Sequence, residues 1–87
     1  MRVQAEVSLY PLGVEELLPP IKEFIEALRG EGLEVEVGPL SSYVVGESET
    51  IFSALGRAFE KVAKKYRCVL VTKVAQLAAT SSPFSSS

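Results

Sequence analysis

The sequence contains no histidine, aspartate, asparagine or tryptophan. Each absence removes a class of chemistry. Without His or Asp, general acid–base work falls to Glu, Lys, Tyr or Cys. A metal ion would have to take its charged ligands from Glu carboxylates alone, so no metal site is expected. Cys68 is the single cysteine. It excludes an internal disulfide and any CxxC redox or metal motif, and nothing beside it in sequence activates a thiolate, so it reads as a small core residue. No apolar run approaches the roughly 18 residues that span a bilayer, and Met1-Arg2 leads straight into an alternating pattern rather than a signal peptide. No membrane role is expected, and cytosol is the default compartment. Basic blocks are also missing: Lys64-Lys65 is the lone adjacent pair among 9 basic residues, against 11 glutamates and a net charge of −2. Binding of nucleic acid through its phosphates is therefore not expected.

What is present is enough to fold. The chain has 87 residues, 47% of them apolar, which is the size and composition of one small domain with a packed core. Val3, Ala5, Val7 and Leu9 alternate with Gln4, Glu6 and Ser8, the period of two that marks a strand with one buried face. Tyr10-Pro11-Leu12-Gly13 is read as its stop. After a loop, Pro19-Pro20 suits the first turn of a helix. Ile21, Phe24, Ile25 and Leu28 follow at helical spacing, and Gly30 and Gly32 end it. Leu33, Val35 and Val37 form a second strand, broken by Gly38-Pro39, and Ser42 to Gly46 a third. Ser48 is placed as the N-cap of a second helix, whose apolar stripe is Ile51, Leu55, Ala58, Phe59 and Val62. Arg67 to Ala75 is a fourth strand.

The order βαββαβ predicts an α+β, ferredoxin-like sandwich: an antiparallel sheet in the order 4-1-3-2 with both helices on one face. The domain is expected over 1–75, with 76–87 a flexible Ala/Ser-rich tail. Parity names the helix-free face. It carries Gln4, Glu6 and Ser8 from strand 1, Tyr43 and Val45 from strand 3, and Val69, Val71 and Lys73 from strand 4. An apolar patch enclosing a few polar groups points to an interface or a ligand site. The C-terminal end of strand 1 is predicted to meet the N-terminal end of strand 3, gathering Ser8, Tyr10, Ser41, Ser42 and Tyr43 at the top of the sheet.

The segments Ala5-Glu6-Val7-Ser8-Leu9-Tyr10-Pro11-Leu12-Gly13, Gly32-Leu33, and Gly38-Pro39-Leu40-Ser41-Ser42 through Gly46-Glu47 resemble the thiamine-binding family of small ferredoxin-like proteins (the YkoF-like group). The resemblance covers roughly residues 3 to 74. It implies a non-enzymatic protein without a cofactor, which associates through its sheets into a homodimer or homotetramer and binds thiamine or its hydroxymethyl-pyrimidine part. Val45 stands where that family usually carries a glutamate, so an acid of the open face has become apolar.

A site for thiamine needs a slot for its rings, hydrogen-bonding groups for the pyrimidine edge, and preferably a carboxylate near the thiazolium. Tyr10 and Tyr43 could form the slot, with a cation–π attraction of about 0.5–2 kcal/mol. Ser8, Ser41 and Ser42 offer hydroxyls, and Glu6 an acceptor. Each has a plainer reading. Tyr10 could cover the edge of the core, and Ser41 and Ser42 could serve the turn. Glu6 could pair with Lys73, and Tyr43 could anchor a subunit interface with Val45, Val69 and Val71. On the plainer readings the chain is a structural module whose open face mediates self-assembly alone. An enzyme of the acylphosphatase type, which shares this topology, is disfavoured because its catalytic Asn is missing.

Overall fold

The computed structural model describes residues 1–77. Its elements are β1 (Arg2–Leu12), α1 (Leu18–Gly30), β2 (Val35–Val37), β3 (Ser42–Glu47), α2 (Ser48–Ala63) and β4 (Arg67–Gln76). The sheet order is β2-β3-β1-β4 with every neighbour antiparallel, as the βαββαβ pattern predicts. Both helices pack on one face.

Between sheet and helices lies the core. From β1 it takes Val3, Ala5, Val7 and Leu9, from α1 Phe24, Ile25 and Leu28, and from α2 Ile51, Ala54, Leu55, Ala58 and Val62. Each large aliphatic or aromatic side chain buried there contributes about 1.5–3 kcal/mol. Phe59 is half-buried and packs against this core, and Ala54 joins the stripe as a further buried residue. At Ala54 and Ala58, both 1% exposed or less, the small side chains let α2 lie close to the sheet.

The second strand starts at Val35 and not at Leu33, and three further boundaries differ from expectation for a physical reason. First, β1 runs through Tyr10 and Pro11 to Leu12. The Leu77 N–H donates to Arg2 O (3.1 Å) on the β4 side, and the Ser48 N–H donates to Met1 O (2.8 Å) on the β3 side. These bonds set the alternation in β1: even residues turn their main-chain groups to β4 and odd residues to β3. Pro11 is odd, so its missing N–H takes nothing from the β4 ladder, where it lies opposite Cys68. The strand ends at Gly13, whose φ of 68° suits glycine. Second, Ser48 is the first residue of α2 and not its cap. Glu47 is the N-cap, without a side-chain cap bond. Its carboxylate is engaged by the Met1 ammonium at 3.2 Å and Arg2 at 4.0 Å, while the Met1 carbonyl accepts the Ser48 N–H. Third, β4 runs one residue past the expected Ala75, into the first position of the segment expected as a tail. Gln76 closes β4 and Leu77 is bonded to β1; residues 78–87 lie outside the described residues.

Candidate functional site

The register of β1 with β3 ends at Val7↔Ser42, whereas its register with β4 continues to Leu12↔Arg67. Beyond Val7, then, β1 has a neighbour on one side only. On the other side the chain turns through Gly38 to Ser41, closed by a Gly38 N–H to Ser41 O bond of 2.9 Å. Between that turn and the end of β1 opens a cleft of about 410 Å³, within the usual size range of small-molecule sites.

Four of the six predicted ligand residues line this cleft: Ser8, Tyr10, Ser41 and Ser42. Tyr10 shares the open face with Ser8 and is 52% exposed. Ser42 is 7% exposed and lies opposite core residue Val7, so its side chain points to the helix side. Glu6 and Tyr43 stand apart from the cleft, lower on the open face. The Tyr43 hydroxyl donates to Glu6 Oε2 at 3.4 Å. Lys73 is opposite Glu6 in register, yet none of the ion pairs among the described residues joins them. The Glu6 main-chain oxygen accepts from Thr72 Oγ1 at 3.0 Å.

The apolar wall was not foreseen in the sequence. It consists of Leu17, Leu18 and Ile21 at the start of α1 and Val37, Pro39 and Leu40 at the turn. A cue was available: Leu17-Leu18 before Pro19-Pro20, and Leu40 between Pro39 and Ser41, are large apolar residues in segments read as loops. Leu18 and Leu40 are 77% and 93% exposed.

Val45, Val69 and Val71 lie on the open face, each between 41% and 46% exposed. Val45 also lines a smaller depression of about 200 Å³ with Arg2, Gln4, Glu34, Glu36 and Tyr43. The titrating groups with displaced pKa values are elsewhere, on the helix layer. Lys65 and then Tyr66 hydrogen-bond to Glu23 and lower its pKa, and Arg57 does the same to Glu31. These bonds fasten the end of α2 to α1 and its flanking loop. Among the described residues no cluster of acidic or thiol ligands could hold a metal ion, and no helix is long and apolar enough to cross a membrane.

A family model for thiamine-binding proteins matches residues 5–81. The chain belongs to the thiamine-binding protein family. Solved structures agree with that membership. The protein MJ1052 of Methanocaldococcus jannascii is 27% identical, with a TM-score of 0.82 over 92% of this chain and 84% of its own. A Thermotoga maritima protein, TM0486, provisionally assigned to thiamine biosynthesis or salvage, is 26% identical, with a TM-score of 0.78 over 87% and 84%. SP2199 of Streptococcus pneumoniae, 19% identical with a TM-score of 0.82 over 93% and 92%, shares the fold. A comparison with curated proteins gives no match. In this member of the family, the cleft lies between the two segments that carry the resemblance, one ending β1 and the other leading into β3.

Proposed function

We propose that this is a non-enzymatic binding protein for thiamine or its hydroxymethyl-pyrimidine moiety, acting in the cytoplasm as a homo-oligomer assembled through its open sheet faces. The observation that carries the reading is the cleft beside the end of β1 in a member of a thiamine-binding family. It combines an apolar wall with Ser8, Tyr10 and Ser41 among its lining residues. An apolar slot with a few polar groups is the usual make-up of a small-molecule site. The absence of His and Asp from the chain, and of a carboxylate among the described residues lining the cleft, gives no support to general acid–base catalysis. Isothermal titration with thiamine and with 4-amino-5-hydroxymethyl-2-methylpyrimidine tests the reading. Saturable heat is expected, and the absence of heat or thermal shift at millimolar ligand would overturn it.

A second reading keeps the assembly and drops the ligand. It is favoured by the exposed valines 45, 69 and 71 on one face and by Val45 in a position where a carboxylate was expected. Sedimentation of Val45→Glu, beside titration of the parent, tests this reading. Weaker assembly is expected of the variant, with no ligand heat from either protein.

A further inference from the structure

We propose that the free main-chain edge of β1 at Leu9 is the recognition element of the cleft. It takes an uncharged, planar heteroaromatic ring carrying a donor beside a ring-nitrogen acceptor, of which a 4-aminopyrimidine is the type. The inference rests on the small-molecule reading above and specifies what the site reads.

Three observations lead there. In β1 the odd residues direct their N–H and C=O groups toward β3, and the β1–β3 register stops at Val7. The N–H and C=O of Leu9 therefore face the cleft with no strand opposite. The Leu9 side chain belongs to the core, so what this residue offers a guest in the cleft is its main chain, whose N–H and C=O are obligatory hydrogen-bonding groups. Second, the described residues lining the cleft include no Lys, Arg or Glu, so a charged group placed inside would find no counter-ion and would lose its hydration. The guest portion is neutral. Third, the edge is short. Only Leu9 and Pro11 present it, and Pro11 has no N–H. An incoming peptide strand would find a single donor over two residues, too little ladder for strand addition. A ring needs no more than Leu9 supplies: its nitrogen accepts from the Leu9 N–H, and its amino group donates to the Leu9 carbonyl.

The test compares ligands and leaves the protein unchanged. The 4-amino-5-hydroxymethyl-2-methylpyrimidine is titrated into ¹⁵N-labelled protein beside its analogues with hydrogen or methyl in place of the 4-amino group. The Leu9 amide resonance should shift and its hydrogen exchange should slow with the parent compound. Both analogues should bind about tenfold more weakly, the loss expected when one hydrogen bond is removed and its partner left unpaired. If the parent binds while the Leu9 amide is unmoved and the analogues bind equally well, the Leu9 assignment is overturned and the binding function stands. If none of the pyrimidines binds, both fall. Protection of the Leu9 amide by an extended peptide but not by the pyrimidine would also overturn the assignment.

Discussion

Tyr43 donates its hydroxyl to Glu6 Oε2 at 3.4 Å across the boundary between β3 and β1. The two residues face each other in register, and Glu36 and Lys73 continue the same row to either side. The bond is long and half-buried and lies on the open face, a step away from the cleft.

Tyr43→Phe is therefore expected to cost less than about 1 kcal/mol, at the weak end for a hydrogen bond of this kind, and to leave pyrimidine affinity unchanged. Urea denaturation and calorimetry check the two halves of that statement. A large loss of affinity would place the guest on the open face instead.

Gly38→Ala should be more damaging. A Cβ at Gly38 would stand 2.9 Å from the Ser41 main-chain oxygen, and main chain cannot swing aside as a side chain can. The turn that walls the cleft would have to open. A loss of about 1–3 kcal/mol and weaker ligand binding are expected together, measured by urea denaturation and titration of the same preparation.

Phe24→Ala tests the core under the cleft. Phe24 is 1% exposed and also contributes to the cleft wall. Removal of its ring should cost about 3–5 kcal/mol, a severe loss for a domain of this size. Phe24→Leu should retain the fold with a smaller loss, read from the thermal midpoint.

Stability should depend on pH through Glu23. Bonds from Lys65 and then Tyr66 hold its carboxyl below the ordinary 4.5, so its contribution is present above about 4.5 and is lost as pH falls through the lowered value. The bond to Glu23 raises Lys65 above 10.5 and Tyr66 above 10.0. Their contribution is intact below those ordinary values and is lost as pH rises through the raised ones. In Glu23→Gln both limbs should flatten in a series of denaturation midpoints from acid to alkaline pH. Limbs as steep as in the parent would show that other groups set them.

The strand order, both helices and the choice of open face were legible because burial repeats with a period of two or of about four residues. Val3 to Leu9 and Phe24 to Leu28 announce their faces directly. The end of β1 was not legible. Whether a proline interrupts a ladder depends on the side to which its main chain points, and that follows from pairing partners distant in sequence. Glu47 as cap had a similar origin, since the Met1 carbonyl and ammonium that hold that corner come from the other end of the chain. Of the candidate site, Ser8, Tyr10, Ser41 and Ser42 were found from the meeting of two strand ends. The separation of Glu6 and Tyr43 from them depends on a register offset of one or two residues. Leu17, Leu18 and Leu40 were missed because apolar residues in loops carry no period.

The longest ladder of the sheet joins the first strand to the last, from Val3↔Gln76 to Leu12↔Arg67. A chain emerging from the ribosome cannot form that ladder until residues 67–76 have followed the first strand out. Until then the apolar side of residues 3–9 has only the helices and β3 for company. Such distant pairing slows folding, so the nascent protein carries its stickiest segment longest without its full set of neighbours.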